Sequence, residues 1–313
     1  MRLLYEETLG GLSIQRCYGL DGRVVVPERI NGLPVKELAG YVLSETVRGR
    51  DKPPAEFAGE PEIKGSQVEE LVLPMSLERV GAYGFYNCYG LRTIAFHSTT
   101  LDWGAGVFTG CAGIKRLDIR VHEGSRSCLK EILTELRQTL VVDYRDEQGR
   151  MLAKLIFPEY FEESVENTPA RIITREMHGC GHMYRYCFEE TRFKVGEYDR
   201  LFKQVQIQES ETLAVRLALY RLFWPWGLSG NAGNVYWDYV KNHVKAAAMG
   251  LLEREETEIL FWLARERRID EKALEEMVEV AAQMEDAQSA AALMDTKYRR
   301  FGAAKVVKRS FEL

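Results

Sequence analysis

One stretch limits the fold of this chain more than any other. From Val68 to Ile119 the sequence repeats with a period of 23. Val68, Leu91 and Ile114 are in register, as are Leu71, Ile94 and Leu117, and Leu73, Phe96 and Ile119. Between the apolar triplets, Val80 matches Trp103, Gly81 matches Gly104, Phe85 matches Phe108 and Cys88 matches Cys111. Within each triplet, apolar residues alternate with others, the period-2 pattern of a short strand with one buried face. A lone strand of this kind cannot bury its apolar side, but stacked copies can, because each forms a wall for the next. The spacing therefore predicts a solenoid with Leu71, Ile94 and Leu117 in one interior column. Phe85/Phe108 and Cys88/Cys111 would be ladders filling the return half of each turn, a place that suits a small, weakly polar thiol. A disulfide or a metal pair is the alternative for those two cysteines.

The residues around the strands carry a resemblance. Leu73-Pro74, the run ERVGAYGFYNC from Glu78 to Cys88, and Leu91 to Ile94 together resemble the BspA-type leucine-rich repeat of bacteria. Gly11 to Gly40 is similar to that family's opening repeat, through Val26-Pro27 and the run INGLPV from Ile30 to Val35. The resemblance covers residues 1–122. It implies a fold and, because relatives of this type are mostly interaction or surface proteins, it implies binding more than chemistry.

The expected fold class is α+β. A short leucine-rich-repeat β-solenoid occupies 1–122, a linking α/β segment 123–208, and an α-helical domain 209–313. Residues 45–66 hold three prolines, three glycines and many charges, which reads as a surface insertion. In the linking segment, Ser125 could cap a helix running to Arg137 with Leu129, Ile132, Leu133 and Leu136 on one side. Leu140–Tyr144 and Met151–Phe157 flank the turn DEQG and predict a β-hairpin. Residues 161–208 mix acids, glycines and aromatics and predict loops, one short strand at Arg171–Thr174 and a short helix at Tyr198–Phe202. From Glu209 the pattern turns helical, with Leu213, Leu217, Tyr220 and Trp224 near one face. Pro225 breaks it, Ser229 or Asn231 can cap the next helix, and further helices fit Val235–Leu252, Glu256–Arg265, Glu271–Met284 and Asp286–Arg299. Glu255–Phe261 aligns with Gln288–Met294 at an offset of 33, the ankyrin length, so this domain is expected to be ankyrin-like. The usual ankyrin turn motif is absent, and a helical bundle is the alternative.

Composition narrows the function classes. A net charge of −5 gives no global basic field for nucleic acid or an anionic membrane. The basic tail from Lys305 and Arg116/Arg120 are the features a nucleic-acid binder would use, and the acidic balance disfavours that role. No apolar run is long enough to span a bilayer. Glu6 and Glu7 closely follow a short apolar start, so no signal peptide is expected. Six irregularly spaced cysteines suggest no disulfide framework, which points to a reducing cytoplasm.

Two sets of residues are candidates for function. The first is the outward face of the strands: Glu70 and Val72, then Thr93, Ala95 and His97, then Arg116, Asp118 and Arg120. These would line the concave surface on which solenoids usually hold protein partners. The second is His178-Gly179-Cys180-Gly181-His182 with Cys187, whose imidazoles and thiols are the donors zinc prefers. On one strand His178, Cys180 and His182 would share a face, but the spacing fits no standard zinc module. A Cys180–His pair for nucleophilic catalysis lacks an orienting acid at recognisable spacing. Phosphate-loop, nucleophile-elbow and HExxH patterns are absent from the sequence. The aromatic set Trp224, Trp226, Tyr236, Trp237 and Tyr239 fits helix packing better than a binding platform. The expected function is a non-catalytic, intracellular bacterial scaffold with a protein partner and no cofactor. A zinc-dependent regulator or enzyme is the alternative.

Overall fold

The structure is a computed structural model that describes residues 1–46, 54–122, 127–167 and 172–302. The described chain divides into two compact units, Met1–Leu201 and Phe202 onward. The boundaries expected from sequence lie at 122/123 and 208/209. Ser125 and the basic tail fall outside the described residues.

In the first unit the strands are β1 (Arg2–Thr8), β2 (Gly11–Tyr18), β3 (Arg23–Val25), β4 (Arg29–Ile30), β5 (Leu33–Leu38), β6 (Glu70–Val72), β7 (Arg79–Val80), β8 (Thr93–His97), β9 (Asp102–Trp103), β10 (Arg116–Arg120), β11 (Leu140–Arg145) and β12 (Met151–Phe157). They form a β-solenoid. One sheet runs β3–β6–β8–β10–β11–β12 and the other β1–β2–β5–β7–β9, with β4 beside β5. In the first sheet β3, β6, β8, β10 and β11 are parallel and in register, and β12 returns antiparallel. Val24, Leu71, Ile94, Leu117, Val142 and Leu155 stand side by side in those registers, and all are fully buried. They form one interior column, as the period predicts.

The 23-residue period also fixes how closely the turns approach. A Cβ placed on Gly81 would lie 2.3 Å from the backbone nitrogen of Gly40, and one on Gly104 2.5 Å from that of Ala82. Successive turns therefore pass backbone to backbone, held by Gly81 N–H donating to Leu38 and Gly104 N–H to Val80. Phe85 and Phe108 pack at 5.7 Å, and the Cys88 and Cys111 thiols are free, buried and aimed at the carbonyls of Leu43 and Phe85. Burial raises both thiol pKa values, to about 12 for Cys111. Both thiols thus serve as packing residues.

Two expectations for the linking segment need correction. The hairpin β11/β12 forms, but β11 is also a further rung of the parallel stack, because Leu140, Val142 and Tyr144 present the same inward alternation as β10. β13 (Phe161–Asn167) and β14 (Ile172–His178) pair antiparallel, where loops and one short strand at Arg171–Thr174 are expected; Arg171 lies outside the described residues. Phe161, Glu163 and Ser164 and then Thr174–Met177 are exposed, so this pair has little apolar alternation for a sequence to display. Helix α1 (Leu129–Glu135) buries Leu129, Ile132, Leu133 and the following Leu136, the four residues expected on its inner side. Helices α2 (Gly181–Arg185) and α3 (Val195–Arg200) and the short pair β15 (Phe188–Glu189)/β16 (Arg192–Phe193) complete the unit.

The second unit is helical: α4 (Phe202–Gln208), α5 (Glu211–Phe223), α6 (Gly230–Asn242), α7 (Val244–Glu253), α8 (Thr257–Arg265), α9 (Glu271–Gln283) and α10 (Ala287–Phe301). Ser229 caps α6, its hydroxyl accepting from the Ala232 N–H at 3.2 Å. The single helix expected over Val235–Leu252 is broken at His243, whose ring stacks on Tyr239 and contacts its carbonyl at 2.8 Å. Helices pair as α5/α6, α7/α8 and α9/α10. α7 packs on α5 and α9, and α10 on α8. The internal offset is 30, not 33. Glu255 and Glu285 both adopt left-handed φ (57° and 60°), and each donates its N–H three residues back. A periodicity read from apolar matches alone slips by most of a helical turn; these tight turns set the register. Tyr236 and Trp237 are buried, as packing residues should be.

Candidate functional site

The outward side chains of the solenoid sheet form rows across the rungs. The strand registers place Arg23, Glu70, Thr93, Arg116 and Val141 in one row, and Val25, Val72, Ala95, Asp118 and Asp143 in the next. A third row holds His97, Arg120 and Arg145. All eight residues expected on the concave face lie on the outward side of this sheet, and none is buried. The face divides in two. Over the first three rungs the middle row is apolar (Val25, Val72, Ala95), and over the last two it is acidic (Asp118, Asp143).

The acidic half is internally neutralised. Arg116 on β10 reaches across to Asp143 on β11, with Nε donating at 2.8 Å and the terminal nitrogen also in contact. Arg145 on β11 reaches back to Asp118 on β10 at 2.9 and 3.0 Å, and also donates to the Gly149 carbonyl at 3.1 Å. Each arginine thus serves the neighbouring strand's carboxylate. Together they cover Asp143, which is fully buried although it sits on the outward face. Its Oδ1 has no hydrogen-bond partner among the described residues. Because both carboxylates are paired in place, this part of the sheet presents no net acidic surface.

Beyond the strand ends the face opens into a cleft of about 570 Å³. It is lined by the apolar row Val25, Val72 and Ala95, which forms its floor, by Pro27 and Pro74, and at its charged end by Arg120 and Arg145 with His97 beside them. Five of the eight expected residues line it: Val72, Ala95, His97, Asp118 and Arg120. Glu70, Thr93 and Arg116 lie on the same face outside the cleft. Val25, Glu28 and Arg145 are lining residues that the sequence expectation omits. Val25 is legible in hindsight, since VVVPERI (24–30) matches LVLPMSL (71–77), but the insertion at 45–66 hides the period. Arg145 is hidden because β11 reads as half of a hairpin.

A histidine pair closes the charged end. His97 Nδ1 and His122 Nε2 are 3.0 Å apart, and the rings stack at 5.3 Å. The His122 backbone N–H donates to Ser98 Oγ at 3.0 Å. Half-burial, then His122 and Arg120, lower the His97 pKa to about 4, and Glu28 opposes them. The folded state therefore binds this proton less readily than the unfolded chain, whose histidines titrate near pH ~6.5. Stability contributed by neutral His97 is complete above that value and declines as pH falls from about 6.5 to about 4. Because the ring is half exposed, the loss is expected to be only about 1 kcal/mol. Urea midpoints across this range should fall less in His97→Gln than in the wild type. Equal slopes would contradict the assignment.

The structure does not gather the His/Cys cluster. β14 ends at His178, Gly179 turns with φ +83°, and α2 begins at Gly181 with Cys180 as its cap. The four donors face different surroundings. His178 stacks on Phe161 and lies 3.0 Å from Glu163 without hydrogen-bond alignment, and His182 Nδ1 contacts the Gly179 carbonyl at 3.1 Å. Cys180 is buried, and burial raises the Cys187 thiol to about 12, against the thiolate that zinc requires. Among the described residues, no group of three or more His, Cys, Asp or Glu is arranged to hold a metal ion. Also among them, no helix is long and apolar enough to cross a membrane.

Comparison with known proteins agrees with the fold of the first unit. Residues 62–134 match the BspA type leucine rich repeat region, in six copies. The crystal structure of a T. pallidum leucine rich repeat protein matches over 39% of this chain and 73% of that one, at 20% identity and a TM-score of 0.20. No curated protein matches the chain.

Proposed function

We propose that this chain, with its BspA-type leucine-rich-repeat region, is a non-catalytic scaffold that docks a protein partner in the cleft of its solenoid sheet. The observation that carries the reading is the division of one face into an apolar floor, Val25, Val72 and Ala95, and a polar end whose acids are already neutralised. An apolar strip flanked by satisfied polar groups is the anatomy of a protein interface: desolvating the strip is favourable and the rim is left hydrated. We place the protein inside the cell, in keeping with six buried cysteines, none of them in a disulfide. We read the helical unit as ankyrin-like in its stacked helical pairs alone, a second repeat surface of the same general use.

The test is capture from the native source with the wild-type chain and with Val72→Glu/Ala95→Glu. The two carboxylates project from the apolar floor and leave the buried column untouched. A protein retained by the wild type and lost by the variant, with equal urea midpoints, supports the reading. Equal retention by both removes the cleft from it.

A further inference from the structure

We infer that the cleft takes an extended acidic segment of a partner protein, with one carboxylate on Arg120 and apolar side chains on Val72 and Val25. The inference rests on the docking reading above and adds the chemistry of the ligand.

The first ground is charge. Of the cations on this face, Arg116 is committed to Asp143, Arg145 to Asp118 and Gly149, and Arg23 to Glu70. The Arg120 side chain makes no hydrogen bond or ion pair among the described residues, while its backbone carbonyl accepts from the Ser98 N–H. Its guanidinium lies along the hairpin turn, where a Cβ on Gly149 would be 3.7 Å away. His97 is held neutral beside it and offers no competing charge. A planar, exposed guanidinium at the end of a groove is suited to grip a carboxylate through two parallel N–H donors.

The second ground is spacing. Rungs of a sheet are about 4.8 Å apart, so Val72 lies about 10 Å and Val25 about 14 Å to the side of Arg120. An extended chain advances about 3.3 Å per residue and turns alternate side chains the same way. A segment lying across the rungs, with its carboxylate on Arg120, brings the side chain four residues away over the apolar floor.

The third ground is polarity. At the rung-one end the cleft is lined by Glu28, whose Oε2 accepts from the Met75 N–H at 2.9 Å. An anionic group there would be repelled. Asp118 at the other end is already held by Arg145, so an incoming acid is favoured at Arg120 over the Glu28 end.

The test is selection of random decapeptides displayed on phage against the purified full chain. One selected peptide is then titrated by fluorescence polarisation. The expected result is enrichment of Asp or Glu with an apolar residue four positions away. Replacing that acid by its amide, or Arg120→Gln, should weaken binding about tenfold, while Lys115→Gln outside the cleft leaves it unchanged. Equal urea midpoints establish that Arg120→Gln is folded. Selected peptides without an acid preference, or equal affinity for Arg120→Gln, overturn the inference while the cleft reading stands. Absence of any enrichment overturns it too, and the docking reading is then judged by its own capture test.

Discussion

Replacing Arg185 with methionine is expected to destabilise the first unit by about 3–5 kcal/mol. Arg185 is 1% exposed and makes no ion pair with a carboxylate among the described residues. Its guanidinium instead donates to the carbonyls of Leu133, Leu136, Gln138, Pro158 and Gly181. Its face also packs on Tyr160 at 4.8 Å. Leu133 and Leu136 belong to the end of α1, where helical carbonyls lack partners within the helix. Burial lowers the Arg185 pKa to about 10, so the side chain stays charged at neutral pH. Methionine fills similar space but leaves several buried acceptors without donors, each costing about 1–3 kcal/mol. Lysine has three donors on one atom and cannot serve five carbonyls spread around a plane, so Arg185→Lys should recover less than half of the loss. Urea unfolding followed by tryptophan fluorescence measures both. A loss below about 1 kcal/mol for the methionine variant would contradict this role.

Leu117→Ala is the second large effect. Leu117 sits between Ile94 and Val142 in the interior column and is fully buried. Truncation removes apolar contacts on both sides, and the rungs cannot close over the gap without breaking the parallel ladder. The expected cost is about 3–4 kcal/mol. Thr93→Ala, on the outward face of the adjoining rung, should cost less than about 0.5 kcal/mol. The contrast tests the alternation itself. Comparable losses at the two positions would mean that the outward face is covered in the folded protein.

How far the sequence discloses this molecule depends on whether a residue's role leaves a period. Leu71, Ile94 and Leu117 were readable because the same contact recurs every 23 residues, and Gly81 and Gly104 because the same close approach does. Val25 and Arg145 contribute to the same cleft, but they lie on rungs displaced by an insertion and by a helix, where the spacing is lost. Arg185 and Asp143 have no sequence signal at all. Their importance comes from carbonyls and guanidiniums delivered by distant segments. The His178–His182 run shows the opposite failure. Three donors within five residues look like a ligand set, yet a glycine turn and a helix start send their side chains to different environments. The pairing of β13 with β14 is hidden because their sequences, FEESVEN and IITREMH, carry charges throughout and show no apolar stripe of period two.

The most direct test of the docking surface is photo-cross-linking in the native cell, with a benzophenone amino acid at Ala95 on the sheet face or at Tyr89, which is 54% exposed and outside the cleft. The account predicts a discrete protein adduct from position 95 and none from position 89. Adducts only from position 89, equal adducts from both, or none from position 95 would contradict it.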